Sequence, residues 1–172
     1  MIIREEQIYE RYAPRLLAVC QRYVGDKSTA EDVLHDSFIS IFKSLGRFDF
    51  RGESALYAWM KKIVVNKCLD WLKRRSRDPI PLQDDRLPDY SDESGPESSE
   101  IGKIPMEVLN RMISDLPEGY RTIFNLFCIE GWSHARIAKK LGIKENSSSS
   151  QYNRAKMRLA QQIKQYLDEK ED

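Results

Sequence analysis

The stretch FDFRGESALYAWMKKIVVNKCLDWLKRR, residues 48–75, decides how the first half of the chain folds. Its 28 residues hold two Phe, one Tyr and two Trp together with a run of Lys and Arg. Aromatic side chains interleaved with cations are typical of surfaces that hold a phosphate backbone and stack on bases. A basic amphipathic helix is also typical of a membrane surface or of a partner's groove, so charge alone leaves three uses open.

Helical phasing at 100° per residue divides this stretch into two faces. The predicted core face is apolar and consists of Tyr57, Met60, Val64, Cys68 and Trp71. The opposite face is mainly polar and consists of Trp59, Lys62, Asn66, Asp70 and Lys73. A Trp on a polar face is unusual. Either Trp59 is presented to a ligand, or it is half-buried beneath the loop of residues 48–53.

Two helices are predicted before this stretch. Residues 5–25 carry apolar side chains at spacings of three and four, and Gly25 and Asp26 end the pattern. Pro14 lies inside it and predicts a kink or a late helix start. The sequence STAE at residues 28–31 predicts a capping box that starts the second helix. The apolar stripe of that helix ends at Gly46 and consists of Ala30, Val33, Leu34, Phe38, Ile41, Phe42 and Leu45.

The second helix also has an acidic side. Ile39 lies off the apolar stripe, beside Asp32 and Asp36. An apolar residue among acids is either part of a protein-docking face or a solitary surface residue, and the pattern favours neither.

Residues 78–100 differ from the rest of the chain. They contain four Pro, eight acidic side chains and a single Arg, and they lack apolar periodicity. This composition predicts a flexible acidic linker, which could bridge up to roughly 80 Å when fully extended. The net charge is +5 for residues 1–77, −7 for the linker and +3 for residues 101–172. Two basic domains on either side of an acidic linker are therefore expected.

The second domain is again helical, so the whole chain is predicted to be all-α. Ser133 caps a short helix, Gly142 turns the chain, and Ser147 starts a last helix that runs to about Leu167. This arrangement predicts a helix-turn-helix. The start of the last helix presents Ser, Asn and Arg outward, and these side chains can bond phosphates and base edges in a major groove. In the alternative interpretation, one serine of the run 147–150 is an N-cap and the others have no role.

Several function classes find no support in the sequence. Cys20, Cys68 and Cys128 are each predicted to be buried, reduced thiols on a helix. His35 and His134 lie in different domains without a paired carboxylate or nucleophile, so no enzyme, cofactor, metal or small-molecule substrate is expected. No apolar run approaches the ~18 residues of a membrane helix, and the N-terminus lacks an apolar signal core. A cytoplasmic protein without membrane insertion is expected.

Five segments, in this order and spacing, resemble the extracytoplasmic function (ECF) subfamily of bacterial RNA polymerase sigma factors. AEDVLHDSF (30–38) is similar to the polymerase-docking helix of that family, and FRGESALYAWMKKIVVN (50–66) is similar to its promoter-melting segment. LPEGYR (116–121), GWSHARIAKKLG (131–142) and SQYNRAK (150–156) are similar to its C-terminal domain. The resemblance covers nearly the whole chain.

The resemblance implies an initiation factor whose partners are core RNA polymerase and promoter DNA. Residues 1–77 would bind the clamp helices of the largest polymerase subunit and open the minus-ten element. Residues 101–172 would read the minus-thirty-five element and lie on the flap of the second large subunit. Whether an anti-sigma factor is a further partner stays open.

The resemblance also implies three groups of site residues. The polymerase-docking group is Asp32, Val33, Asp36, Ser37 and Ile39. The minus-ten binding and melting group is Phe50, Arg51, Ser54, Trp59, Lys62, Asn66, Lys73 and Arg74, in which Asn66 and the preceding loop hold the flipped base. The minus-thirty-five group is Ser147, Ser149, Ser150, Asn153, Arg154 and Lys156.

Two positions depart from the family's pattern. Ser149 replaces a basic residue that is common there, which removes a phosphate or base contact. Ser148 replaces an apolar residue on the inner face and is expected to loosen the start of the last helix. The linker at residues 78–100 is expected either to thread the basic nucleic-acid channel of the polymerase or to act as a solvated spacer.

Two other functions compete with this interpretation. A stand-alone helix-turn-helix regulator with a helical dimerisation domain would account for residues 101–172, but it leaves the aromatic and basic helix without a role. A helical adaptor protein would make no contact with DNA at all.

Overall fold

The computed structural model of the chain describes residues 4–75 and 98–171. Every regular element within those ranges is helical, and no strand occurs there. The chain divides into two compact units, Met1–Arg77 and Asp78–Asp172. The prediction of an all-α protein with two helical domains is confirmed. Most of the predicted acidic linker lies outside the described residues, and its last three residues belong instead to the short helix α4, Ser98–Ile101.

The first unit is a bundle of three helices, α1 (Glu5–Val24), α2 (Lys27–Leu45) and α3 (Glu53–Arg75). Each helix packs against the other two, so the apolar stripes predicted for them converge on one core. The most completely buried large side chains of this core are Ile8, Leu16, Tyr23, Ile41, Leu56, Met60, Val64 and Leu72.

Helix α1 begins at Glu5, where the apolar pattern predicted it. Helix α1 runs through Pro14 without a late start. Loss of a helical hydrogen bond and the ring clash at Pro cost about 3 kcal/mol, whereas burying one large apolar side chain contributes about 1.5–3 kcal/mol. Ile8 and Tyr12, before the proline, are both buried and therefore hold the first turns in place.

The N-cap of α2 is Asp26 rather than Ser28. The Asp26 carboxylate accepts a hydrogen bond from the Thr29 backbone N–H at 2.9 Å, and helical geometry begins at Lys27. The predicted capping box is therefore wrong by two residues. Asp is as good an N-cap as Ser, so local preference did not distinguish the two starts.

Helix α3 buries a broader face than predicted. Met60, Val64 and Cys68 are fully buried as predicted, but Tyr57 and Trp71 lie half-buried at the margin. The remaining buried positions of α3 are Leu56, Val65, Leu69 and Leu72. Because α3 contacts both α1 and α2, its buried arc is wider than a single stripe.

The second unit is organised around its last helix. Helices α5 (Met106–Ser114), α6 (Glu118–Phe124) and α7 (His134–Leu141) all pack against α8 (Glu145–Glu171). One cluster of its core is formed by Ile104, Met112, Leu116, Tyr120, Ala155, Leu159 and Ile163. Helix α8 begins at Glu145, two residues earlier than predicted, so Ser147 is its third residue and not its first.

A π-helical turn, Asn125–Ile129, follows α6. The Glu130 backbone N–H donates to the Asn125 carbonyl, five residues back, at 2.9 Å. The amide of the buried Asn125 side chain donates to the Arg121 carbonyl at 2.8 Å. The apolar spacing in this region predicted only an ordinary helix, because a one-residue change in hydrogen-bond register leaves little trace in the sequence.

The cysteines follow the prediction in the first unit only. Cys20 and Cys68 are buried and free of disulfides. A hydrogen bond with the Cys20 thiol, together with burial, raises the pKa of Cys68 well above its ordinary value of 9.0. Cys128 is exposed, which corrects the prediction for that residue. It lies in the π-helical turn, whose register differs from that of the helix on which the prediction was based.

Candidate nucleic-acid interface

The loop before α3 and the first turns of that helix form a surface pocket of about 500 Å³. Gly52 has a φ of +106°, which other residues rarely adopt, and its carbonyl accepts from the Leu56 backbone N–H at 3.1 Å. The glycine therefore turns the loop directly into the helix. The pocket is lined by Ser44, Arg47, Phe48, Asp49, Arg51, Ala55 and Trp59.

An aromatic pair forms one wall of the pocket. The rings of Phe48 and Trp59 are stacked with centroids 4.6 Å apart and planes inclined by 27°. Trp59 is half-buried by this contact, in agreement with the interpretation that placed it beneath the loop of residues 48–53. It still lines the pocket, so the two interpretations are compatible. A half-covered indole can present a flat face or an edge to an unstacked base.

The charges of the pocket are exposed to solvent. Arg51 Nε donates to Asp49 Oδ2 at 2.8 Å, and both side chains are more than 70% exposed. Exposed ion pairs of this kind contribute little, at about 0–1 kcal/mol. A phosphate group could therefore displace Asp49 from the Arg51 guanidinium at low cost.

Only part of the predicted minus-ten group meets at this pocket. Arg51 and Trp59 line it, whereas Asn66 is half-buried about 10 Å further along α3, as expected from a rise of about 1.5 Å per residue. The other predicted residues are exposed and do not line the pocket; they are Phe50, Ser54, Lys62, Lys73 and Arg74. The remaining lining residues were not among the predicted site residues; they are Ser44, Arg47, Phe48, Asp49 and Ala55.

Two contacts from α1 hold the start of α3. The Arg11 guanidinium donates to both carboxylate oxygens of Glu53, at 2.5 and 2.6 Å. The Arg15 guanidinium lies 4.0 Å from the centre of the Tyr57 ring. Bidentate and cation–π contacts are directional, so they favour one orientation of the first turns of α3 beside the pocket. The partners of each pair lie far apart in the chain and left no signal in the sequence.

The predicted docking group divides into exposed and buried members. Asp32 and Asp36 are exposed, and Ile39 is 42% exposed on the same helix. Val33 and Ser37 are buried in the bundle, although the resemblance implied that they belong to the docking group. The Ser37 hydroxyl donates to the Val33 carbonyl at 2.7 Å, inside the bundle. Asp32 and Asp36, which precede them in the segment 30–38, face outward, because successive residues of a helix are separated by 100°.

The second unit contains the predicted helix-turn-helix. The Ser133 hydroxyl accepts from the Arg136 backbone N–H at 3.1 Å and caps α7 as predicted. Gly142 has a φ of +69°, the left-handed conformation that ends the helix. Helix α8 follows after Ile143 and Lys144.

The predicted minus-thirty-five group lies on the first three turns of α8. Ser150, Asn153 and Lys156 are exposed, and Ser147, Ser149 and Arg154 are half-buried. The Lys156 ammonium lies 5.0 Å from the centre of the Tyr152 ring. Ser150 and Asn153 lie on the outer side of the helix, away from the buried Ala155, Leu159 and Ile163, and the other members flank this outer side.

The inner side of the α8 N-terminus contacts an aromatic cluster. The His134 ring is stacked on Phe127, with centroids 4.1 Å apart and planes inclined by 7°. Tyr152 packs against both rings. Partial burial, with a further contribution from Cys128, raises the pKa of Tyr152 above 10.0, so this phenol stays neutral at physiological pH.

Ser148, expected to loosen the start of α8, is instead buried and paired. Its hydroxyl lies 2.8 Å from His134 Nδ1 in a hydrogen bond between α8 and α7. A buried hydroxyl is costly only when it is unpaired, so the polar residue is accommodated here.

Other kinds of site find no support in the geometry. Residues 4–75 and 98–171 contain no group of three His, Cys, Asp or Glu side chains that could hold a metal ion. None of the helices described in the structure combines the length and the apolarity that crossing a bilayer requires.

Comparison with known proteins places both units in one family. Residues 8–78 match the family model of sigma-70 region 2, and residues 106–159 match that of sigma-70 region 4. The chain is 29% identical to the RNA polymerase sigma-H factor of Pseudomonas aeruginosa over 92% of its own length and 86% of that protein. It is 31% identical to the ECF RNA polymerase sigma-E factor of Salmonella typhimurium over 74% of its length and 70% of that protein.

The fold also has a counterpart among solved structures. The sigma factor RpoE of Bartonella quintana, crystallised in complex with the anti-sigma factor NepR, aligns with a TM-score of 0.50 and 21% identity. The alignment covers 92% of this chain and 96% of that one. These relatives do not favour a stand-alone regulator. The chain belongs to the ECF subfamily of RNA polymerase sigma factors.

Proposed function

We propose that this sigma factor binds core RNA polymerase in the cytoplasm and directs it to promoters, where the first unit opens the minus-ten element and the second reads the minus-thirty-five element. The observation that carries the proposal is the pairing, in one chain, of an aromatic and cationic pocket with a helix-turn-helix. A regulator that only binds duplex DNA would not need the first of these two surfaces.

Strand opening follows from capture of unpaired bases. Breaking the stacking of a duplex costs about 1.4 kcal/mol per base-pair step. Stacking an unpaired base on an aromatic ring recovers about 1–3 kcal/mol. The pocket beside Trp59 and Arg51 offers a ring and a cation for one base and its phosphate. Opening by capture requires neither ATP nor a catalytic residue, so the factor acts by binding alone.

Asn66 is assigned to the same step. It lies on the side of α3 that carries Trp59 and is half-buried, so part of its side chain remains accessible. An amide side chain presents a donor and an acceptor together, as the edge of a base does. We assign Asn66 to recognition of one unpaired base, and the Trp59 pocket, about 10 Å away along α3, to stacking of another.

Polymerase docking is assigned to the exposed side of α2. Asp32 and Asp36 lie one turn apart, and Ile39 stands beside them with 42% of its surface exposed. An apolar side chain surrounded by carboxylates is suited to a partner surface with an apolar centre and a basic rim.

The second unit is assigned to the minus-thirty-five element. The helix-turn-helix presents Ser150, Asn153 and Lys156 on the outer side of α8. Short polar side chains at a recognition-helix N-terminus can contact base edges, while Lys156 is suited to a phosphate. Without a basic residue at Ser149, the affinity of this unit for DNA should depend less steeply on salt.

A transcription assay tests the whole proposal. The full chain would be mixed with core bacterial RNA polymerase, and run-off transcripts would be scored on a library of genomic promoter fragments. We expect promoter-dependent transcripts and a stable holoenzyme. Duplex binding without polymerase, and no transcripts with it, would support the stand-alone regulator instead.

Two substitutions test the first unit separately. Asn66→Ala and Trp59→Ala should each reduce the yield of open complex by about five- to hundredfold, because each removes about 1–3 kcal/mol of base contact. Potassium permanganate footprinting measures the unpaired bases, and affinity for core polymerase should not change. Asp70→Ala is the matched control, since Asp70 is exposed one turn beyond Asn66. Equal loss of core binding and opening would indicate a purely structural role.

Regulation by an anti-sigma factor belongs to the same proposal. An anti-sigma partner would have to cover the α2 face or the DNA-reading surfaces to keep the factor from polymerase. Co-purification of the chain from its native host, followed by competition with core polymerase, would identify such a partner.

A further inference from the structure

A hydrogen bond joins the two helices of the helix-turn-helix near their N-terminal ends. Ser148 is the fourth residue of α8 and is fully buried, and His134 is the first residue of α7. The Ser148 hydroxyl and His134 Nδ1 are 2.8 Å apart. The hydroxyl donates when Nδ1 is unprotonated and accepts when Nδ1 carries the proton. The bond joins two residues that lie on either side of the turn at Gly142.

The His134 ring is fixed by its neighbours. It lies parallel to the Phe127 ring, with centroids 4.1 Å apart, and Tyr152 packs at an inclination of 55° with a centroid distance of 5.8 Å. Phe127 and Tyr152 also contact each other at 4.5 Å. Because these contacts hold the ring plane, the direction in which Nδ1 meets α8 is fixed as well.

The position of Ser148 determines what this bond controls. Ser149 and Ser150 follow immediately, and Asn153 lies one turn beyond Ser149. Successive residues of a helix are separated by 100°, so fixing the rotation of α8 at Ser148 fixes the direction of all three side chains. A hydrogen bond weakens steeply when its angle departs from linearity, whereas an apolar contact tolerates rotation.

We propose that His134 and Ser148 are a positioning pair that sets the rotation of α8 for base reading; this inference rests on the proposed role of α8 at the minus-thirty-five element. A buried hydrogen bond adds little net stability over an apolar contact of the same shape. What the hydrogen bond adds over an apolar contact is a preferred rotation of α8 about its axis.

The test uses the full chain and its holoenzyme with core RNA polymerase. The variants are Ser148→Ala, His134→Phe and the double variant His134→Phe/Ser148→Val, in which both polar groups are removed. Ser114→Ala is the matched control, because the Ser114 hydroxyl donates to the Asn110 carbonyl at 2.8 Å within α5. Residual dipolar couplings of the amides of residues 145–154 report the orientation of α8 in the free chain. Selection from duplexes randomised at the minus-thirty-five element reports base discrimination by the holoenzyme.

Ser148→Ala and His134→Phe should each lower discrimination between preferred and other bases by about three- to tenfold, as loss of one directional hydrogen bond predicts. Both should change the dipolar couplings of residues 145–154. The double variant should discriminate no worse than either single variant, since residues that act as a pair are not additive. Ser114→Ala should leave both measurements as in the wild type.

Unchanged couplings in Ser148→Ala would overturn the proposal, and so would a loss of discrimination in Ser114→Ala as large as that in Ser148→Ala. A wild-type holoenzyme without any base preference would refute the reading function of α8. In that event the couplings would still decide whether the pair orients the helix.

Discussion

The cores of the two units of this sigma factor differ in how many polar residues they bury. In the described part of the first unit, Ser37 is the only buried Ser, Thr, Asn, Gln or charged residue, and it bonds a carbonyl of its own helix. The Tyr23 hydroxyl and the hydrogen-bonded thiols of Cys20 and Cys68 are buried there as well. The second unit buries Arg121, Thr122, Asn125, Ser148 and Gln151. Apolar contacts set distance, whereas hydrogen bonds also set direction.

The difference corresponds to the tasks assigned to the two units. The pocket of the first unit lies on a surface loop, and its neighbours Arg11 and Glu53 are themselves exposed. A site that stacks on bases tolerates small rotations of the helix beneath it. Base edges in a major groove are read by side chains whose direction matters, and the second unit supports these from within.

The largest expected loss of stability comes from creating a cavity in the apolar core of the first unit. Met60 is fully buried at the centre of α3, and Met60→Ala should lower the unfolding free energy of the first unit by about 2–5 kcal/mol. Hydrogen exchange of the amides of α1–α3 during a urea titration measures this change. Met106→Ala is the control, since Met106 is 69% exposed and its loss should leave both units unaffected. An effect below about 1 kcal/mol would mean that the core repacks around the smaller side chain instead of leaving a cavity.

The core of the second unit should be destabilised by loss of a buried polar group. Arg121 is 7% exposed and donates from Nη1 to the carbonyls of Ser114 and Leu116, at 3.0 and 3.2 Å. Arg121→Met replaces the guanidinium by an apolar side chain and leaves these carbonyls without that donor. The unfolding free energy of the second unit should therefore fall by about 2 kcal/mol. Hydrogen exchange of α5 and α6 is the measurement.

The matched control for this substitution is Arg111→Met, because Arg111 is exposed on α5. If both variants lowered the unfolding free energy of the second unit by the same small amount, the buried guanidinium would be dispensable for stability. The two cores would then differ in composition but not in how polar groups stabilise them.

The smallest expected effect is a difference in pH dependence between two N-caps, the Asp26 carboxylate of α2 and the Ser133 hydroxyl of α7. The hydrogen bond from the Thr29 backbone N–H is the main reason that the pKa of Asp26 is lowered below its ordinary value of 3.8. A lowered folded-state pKa stabilises the protein above the unfolded pKa, and this stabilisation is lost as the pH falls through the folded value. The difference in melting temperature between wild type and Asp26→Ser should therefore shrink as the pH is lowered below 3.8.

The hydroxyl cap of α7 provides the comparison. Ser133 does not titrate in this range, so the deficit of Ser133→Ala, about 1 kcal/mol, should stay constant over the same pH interval. A constant deficit in Asp26→Ser as well would show that the carboxylate charge contributes nothing to capping α2.

Local signals predicted much of this molecule. Ser133 as an N-cap, Gly142 as a left-handed turn and the burial of Met60, Val64 and Cys68 follow from spacing and capping preferences over a few residues. The same kind of signal was insufficient where two local solutions have similar energies. Asp26 and Ser28 both suit an N-cap, and the register change at the π-helical turn involves only one residue.

The sequence by itself determined the helices, the two units and the family, because amphipathic periodicity and motif spacing are local properties of the chain. Only the tertiary structure decided which side chains meet: Phe48 with Trp59, Arg11 with Glu53, and His134 with Ser148. These pairs are separated by 11, 42 and 14 residues, and they form because helix packing brings distant faces together. Periodicity specifies that a face is buried, but not what it is buried against.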